Sequence, residues 1–311
     1  MRLLKHRRFG RLYGFLRSLQ KKRFSRVKLL QSQLTQNSKT NPCVICGKDN
    51  FELVSQSDRY GFRFDKKLCK NCGLLQTNPM PSKNFFNAFY DKHYRELYRG
   101  TRKVDIPLTL AAQNERGIAI YNFIKSDINI KGFEVFEIGC SYGGVLDVFK
   151  AQGHVTSGCD LDTEAVKKAR ENHTDVLVSE LPTAQASAAT LYILSHVLEH
   201  IPDPLTFLSQ LYSIMSEKDL LYVEVPGINL LLSGSYGGDL LRFFHIGHVL
   251  EFTKNTLIDT LKNSGLEALS CDDTCRGVFK KSKYKFQSLT NFYDDTRQQL
   301  LEVEDSYQKN G

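Results

Sequence analysis

Two cysteine pairs carry the sharpest chemical signal in the chain: Cys43 and Cys46, then Cys69 and Cys72, read as CxxC, twenty-two residues, CxxC. Zinc held by thiolates takes tetrahedral geometry, and a CxxC turn offers two sulfurs from one tight loop while a second turn supplies the others. Gly47 and Gly73 follow the pairs directly, where the chain must bend back beneath the metal. Four protein ligands leave no open position, so the expected Zn2+ is structural and replaces a core that so short a segment lacks. A redox dithiol or unrelated buried thiols are the competing readings.

A second signal is Glu137-Ile138-Gly139-Cys140-Ser141-Tyr142-Gly143-Gly144, which leaves the apolar run FEVF and enters VLDVFKAQG. Glycines at a strand-to-helix turn let backbone approach a ligand closely. Asp160 closes the next apolar run twenty-one residues after Gly139, where a Rossmann-like unit needs a carboxylate for ribose hydroxyls. A dinucleotide site would place a glycine at Ser141 to clear a pyrophosphate. The loop therefore suits an adenosyl cofactor without phosphates, and Glu137 suits a cationic methionyl end. The plain alternative is a tight turn with no ligand.

Two histidine-rich stretches follow. In Ser195-His196-Val197-Leu198-Glu199-His200, at the end of an apolar run, Glu199 and His200 stand beyond a strand's carboxyl end, where open parallel sheets bind ligands. Either could act as acid or base, against the reading of capping or core-satisfied groups. His245 and His248 lie in FFHIGHVLEF, before a helix expected over 253–263 and after a glycine-rich loop, GINLLLSGSYGGDLLRF, that could be a substrate lid. A base at His245 or His248 is the preferred catalytic reading; the alternative is that they stitch the loop to the body.

Positioning these groups requires a recognisable order of elements. GFEVFEIGC, HVTSGCDLD, DVLVSE, LYILSHVLE and DLLYVEVPG are short apolar runs of strand type, mostly separated by helical segments, which is the pattern of a parallel sheet with crossover helices. The expected division is a basic tail and linker over 1–40, a zinc module over 41–82, a helical connector over 83–130 with Phe85, Phe86, Phe89, Tyr90 and Tyr94 as anchors, an α/β domain over 131–285, and a charged helix or tail over 286–311. Leu3, Leu4, Phe9, Leu12, Phe15, Leu16 and Leu19 mark the tail as a basic amphipathic helix or a loose terminus, with an anionic membrane surface as a candidate contact.

The first forty residues hold twelve Lys or Arg and no acid, so 30 basic residues face 34 acidic ones in the rest, a balance of −4. That balance argues against nucleic acid as the body's partner. No apolar run reaches membrane-spanning length, and the paired cysteines suit a reducing compartment, so the expectation is a cytoplasmic protein with peripheral contact at the inner membrane surface.

EIGCSYGG, CDLD, SHVLEHIPDP, VEVPG and FFHIGHVLEFTKNTLIDTLKNSGLEAL together resemble the successive motifs of class I S-adenosylmethionine-dependent methyltransferases. More narrowly they resemble the branch with an amino-terminal four-cysteine zinc module, found in sugar and surface-polysaccharide modification. The resemblance spans residues 43 to 280 and implies a Rossmann-like α/β fold, a seven-stranded sheet with an antiparallel last strand behind a small zinc ribbon. It implies that Glu137, Gly139 and Gly143 line the methionyl and ribose side, Asp160 the ribose and Leu161 an adenine face, with Glu180 near the adenine amino group and Cys140 and Ser195 as further cofactor-binding residues. Some relatives hold a divalent metal at the fourth strand; His196 stands where they have a carboxylate, so that metal is not expected here. The acceptor implied is a small molecule, a sugar or nucleotide-linked sugar. A nicotinamide-dependent sugar oxidoreductase is the first rival, disfavoured by Ser141, and a zinc-ribbon binding protein on a non-catalytic Rossmann scaffold is the second.

Overall fold

The structure is a computed structural model describing residues 30–36, 38–57, 63–89, 104–173, 175–183, 188–282 and 288–310. The amphipathic pattern read before residue 30, and Tyr90 and Tyr94, lie outside the described residues.

The cysteine segment contains five short strands, β1 (Ser38–Lys39), β2 (Phe51–Ser57), β3 (Arg63–Cys69), β4 (Leu75–Thr77) and β5 (Met80–Pro81). β2 pairs antiparallel with β3, and β3 with β4, so each CxxC turn sits at one end of a small meander. Helix Lys83–Phe89 then buries Phe85, Phe86 and Phe89 in the same core as the cysteines.

The large sheet takes β6 (Glu134–Ile138), β7 (Thr156–Asp160), β8 (Val176–Val178), β9 (Thr190–Ser195), β10 (Leu220–Glu224), β12 (Leu266–Cys271) and β13 (Arg276–Lys281), with β11 (Leu250–Glu251) lying elsewhere. Its order is β12-β13-β10-β9-β6-β7-β8, with β13 antiparallel to both neighbours and the five others of the inner run parallel. This is the seven-stranded α/β sheet with an antiparallel last strand that the motif order implies.

Period-two alternation builds both faces. Val135, Leu191, Ile193, Tyr222 and Val278 pack in one cluster with Ile120 and Ile124 of helix Ile106–Lys125 and Phe149 of helix Gly144–Ala151. Tyr192, Leu194, Leu221, Val223 and Phe279 pack in the other with Leu208 and Leu211 of helix Pro204–Ile214, Leu257 and Leu261 of helix Lys254–Asn263, and the zinc-module cysteines. Caps fix where the helices begin: Asp203 accepts from Thr206 N ahead of Pro204, and Thr253 forms a capping box with Thr256.

The four-cysteine segment and the α/β body share a sheet. β11 pairs antiparallel with β4, giving the order β11-β4-β3-β2, and Thr77 N donates to Val249 O at 2.8 Å. Helix Tyr293–Asn310 covers that sheet: Tyr293 and Arg297 reach Glu52, and Leu300 and Val303 pack with Leu68, Leu75 and Phe244. No helix among the described residues is long and apolar enough to cross a membrane.

Candidate functional site

The four cysteines converge. Cys43 Sγ lies 3.5 Å from Cys72 Sγ, Cys46 Sγ lies 3.5 Å from Cys69 Sγ, and all four sulfurs fall within 4.8 Å of one another. A tetrahedral ion with zinc–sulfur bonds of about 2.3 Å spaces its sulfurs by about 3.8 Å, so the cluster fits zinc. The turns are built for it: Gly47 N donates to Cys43 O and Gly73 N to Cys69 O, with both glycines left-handed at φ 70° and 77°. At Gly73 any Cβ would stand 2.5 Å from the Phe292 backbone. Hydrogen bonds from Cys43 and Cys72 hold the Cys69 thiol well below its ordinary range, whereas Cys43 and Cys72 are pushed up by the same contacts and by burial. Four converging thiols suit a divalent ion, which would hold them as thiolates.

The turn after β6 closes on the end of β7. Gly139 N and Cys140 N both donate to Cys159 O, at 2.8 and 3.1 Å. Asp160 then receives two backbone donors, Ser141 N on Oδ2 and Asp162 N on Oδ1, each at 2.8 Å. Its carboxylate is thereby fixed in orientation at the carboxyl edge of the sheet. Gly143, at φ 84°, starts helix Gly144–Ala151. Gly139, at φ 78°, would place a Cβ 2.7 Å from Val197 Cγ2, which couples this turn to the histidine stretch after β9.

Glu137 is 4% exposed, and its Oε2 has no hydrogen-bond partner among the described residues. Burial pushes its carboxyl up to about 8, the charge of Asp160 adds to the rise, and Arg116 opposes it. A buried carboxyl with an unpartnered oxygen is suited to a cationic or hydrogen-bond-donating ligand. Leu161, beside Asp160, is 62% exposed, a large apolar side chain open to stacking. The Cys140 thiol is buried in the core beside Gly158, and burial raises its pKa. Glu180 is exposed in the bend after β8. Ser195 Oγ donates to Glu224 Oε2 at 3.2 Å, as does Tyr222 OH.

Around Glu199 the structure gathers three imidazoles. Oε1 lies 3.4 Å from His196 Nδ1, 3.7 Å from His200 Nε2 and 3.8 Å from His248 Nε2, in a residue only 1% exposed. No hydrogen bond of normal geometry reaches either oxygen of Glu199 among the described residues. Burial works to raise this carboxyl, but His200 and His196 more than offset it and the net direction is down. One atom each from Glu199, His200 and His248 lies within 4.8 Å of the others, a spacing also open to a cation.

The ring nitrogens are oriented by backbone. His200 Nδ1 sits 2.7 Å from Gly247 O and must donate there, so the neutral ring carries its lone pair on Nε2. His245 Nδ1 accepts from Gly247 N at 3.1 Å, so that ring carries its proton on Nε2. The His245 and His248 rings lie with centroids 3.6 Å apart at a 50° tilt and are 2% and 6% exposed. Burial holds His248 well below its ordinary pKa, and the nearby His245, His200, Lys66 and His196 push it in the same direction. The two histidines put forward as base from sequence are thus both buried, with His248 Nε2 3.8 Å from Glu199 Oε1. His200 and His196 are the more open rings, with side chains 20% and 31% exposed.

Sequence reasoning missed three participants. Glu251 lies one helical turn's spacing after His248, its Oε2 3.9 Å from His248 Nδ1, and the i,i+3 spacing could have suggested it. Glu224 ends β10 and approaches His196 Nε2 at 3.9 Å. Lys66, from β3, is fully buried against Glu251, and nothing in the run RFDKKLC marks it.

The family model described as a methyltransferase domain matches residues 90–270, more than half the chain, and the chain belongs to that family. No curated protein matches the sequence. Among solved structures, the chain is similar to 1,6-didemethyltoxoflavin-N1-methyltransferase of Burkholderia thailandensis at 14% identity, covering 68% of this chain and 95% of that one with a TM-score of 0.47. It is also similar to magnesium protoporphyrin IX methyltransferase of Synechocystis PCC 6803, at 15% identity, 64% and 98% coverage, and a TM-score of 0.42.

Proposed function

We propose that this methyltransferase uses S-adenosylmethionine and methylates a hydroxyl of a small polar acceptor, a sugar or nucleotide-linked sugar, with a structural zinc in its cysteine module. The observation that carries the donor assignment is the left-handed turn at Gly139 locked onto Asp160, with the unpartnered, buried Glu137 beside it. When bound, the donor supplies a methyl group on a sulfonium.

The chain's residues divide the remaining work. Asp160, held by Ser141 N and Asp162 N, has acceptor capacity left for ribose hydroxyls, and Leu161 offers an apolar face to adenine. Ser141 bears a side chain where a pyrophosphate would need room, which favours this donor over a dinucleotide. Glu137, raised by burial to about 8, would become a counter-charge to the cationic methionyl end when the donor is bound.

Methyl transfer is an in-line displacement, so holding the acceptor oxygen in place supplies much of the rate. His200 receives the acceptor's proton at Nε2, because Gly247 O fixes its proton at Nδ1. Glu199, 3.7 Å away, then faces the resulting imidazolium. The sugar-type acceptor is supported by the resemblance to a zinc-module branch that modifies sugars, and the acidic body makes a nucleic-acid acceptor less suited. Transfer of labelled methyl to a panel of nucleotide-sugars and free sugars tests the acceptor. Labelling confined to nitrogen acceptors would contradict the hydroxyl assignment.

A further inference from the structure

A lysine with no access to solvent needs a strong reason to be charged in a protein core. Lys66 is 0% exposed, on the central strand of the zinc module's meander. Its Nζ lies 2.9 Å from Glu251 Oε1 and donates to His248 O at 2.5 Å, with the Phe244 ring 5.9 Å away. These partners belong to the methyltransferase body, 178 to 185 positions later in the sequence, as the residue numbers give by subtraction. Within its own strand the ammonium also lies 5.6 Å from the Phe64 ring.

The segment Lys66 grips is the one that orients the acid–base groups. Gly247 O fixes the His200 tautomer at 2.7 Å, and Val249 N donates to Glu199 O at 2.9 Å. Glu251 and Leu250 form β11, which adds to β4 of the module. The His248 ring packs edge-on against His200, with centroids 5.0 Å apart.

We propose that the zinc module is a working part of the acceptor site: Lys66 is a positioning residue that fixes residues 247–251 and, through Gly247 O and Val249 N, the orientation of His200 and Glu199. This rests on the role given above to His200. It also assigns the module a function beyond folding, since loss of its strand register would release the same segment.

The test uses full-length, zinc-loaded protein and two variants. Lys66→Met alone removes the cation beside the buried Glu251 carboxylate, so K66M/E251Q accompanies it to remove the charge imbalance. Nitrogen NMR of the histidine rings, without ligand, reads the His200 tautomer, with His200→Gln assigning its signal. The expected result is one Nδ1-protonated tautomer in the parent and loss of that single-tautomer signature in both variants, while S-adenosylhomocysteine affinity by calorimetry is unchanged. An unchanged His200 signature in the folded double variant would overturn the proposal. So would a double variant that loses zinc or S-adenosylhomocysteine binding, because Lys66 would then act on the fold at large. Failure of the parent itself to bind S-adenosylhomocysteine would count against the donor assignment, whereas the tautomer result stands apart from it.

Discussion

Replacing Glu137 with Gln gives a pH-dependent gain in stability whose size follows from its burial. The carboxyl goes from 4.5 in an exposed chain to about 8 in the folded protein, with desolvation as the main cause. The folded state therefore holds a proton that the unfolded state has released between those values, and this group's contribution falls as pH rises from 4.5 to 8. Each pH unit in that window costs about 1.4 kcal/mol, which gives a penalty of about 1 kcal/mol at pH 5 and about 4 kcal/mol at pH 8. An amide does not titrate, so E137Q lacks this penalty, and any fixed cost of the amide cancels when two pH values are compared. Denaturant unfolding of zinc-loaded, ligand-free parent and E137Q at pH 5 and pH 8 measures it. The stability gap should move in favour of E137Q by about 3 kcal/mol across that range. A gap that does not change with pH would refute the reasoning, because the carboxyl would then not be strained by burial.

Other outcomes follow from the same geometry. Gly139→Ala forces a side chain into a left-handed position 2.7 Å from Val197 Cγ2; it should cost about 2–5 kcal/mol and weaken S-adenosylhomocysteine binding, read by thermal shift and calorimetry. Metal analysis should find zinc bound by the cysteine cluster, and Cys69→Ser should lose it and melt the β2–β4 meander, seen as lost amide protection over 51–77. Once an acceptor is in hand, His200→Gln should lower turnover about 10²- to 10⁴-fold with donor affinity retained. His245→Gln should lower it less, because that ring's Nδ1 already accepts from Gly247 N, and equal losses would contradict the assignment of the base.

Local chemistry made much of this legible in the sequence. Strands such as TLYILS and the capped helix over 253–263 declare themselves through short-range patterns, and CxxC spacing needs no tertiary knowledge to suggest a metal. The glycine turn after β6 was legible because its glycines and the acid after β7 recur at a distance set by one βαβ unit. The Lys66 to Glu251 contact was not, because it joins residues far apart in sequence through strand pairing that alternation alone does not specify. The choice among histidines was hidden for a different reason. His200, His245 and His248 have similar neighbours in sequence, but a carbonyl and an amide from the single residue Gly247 set the tautomers of two of them. Cys140 shows the same limit, since a turn sequence does not say which of its side chains faces inward.

The central claim is that the Gly139 turn, Asp160 and Glu137 form a pocket for an adenosyl methyl donor. Calorimetric titration of folded, zinc-loaded protein with S-adenosylmethionine, and separately with S-adenosylhomocysteine, tests it most directly. The account predicts saturable binding of both, at least tenfold weaker in Asp160→Ala, which is about 1.4 kcal/mol or more. Heat from neither compound, or binding unaffected by loss of the Asp160 carboxylate, would contradict it.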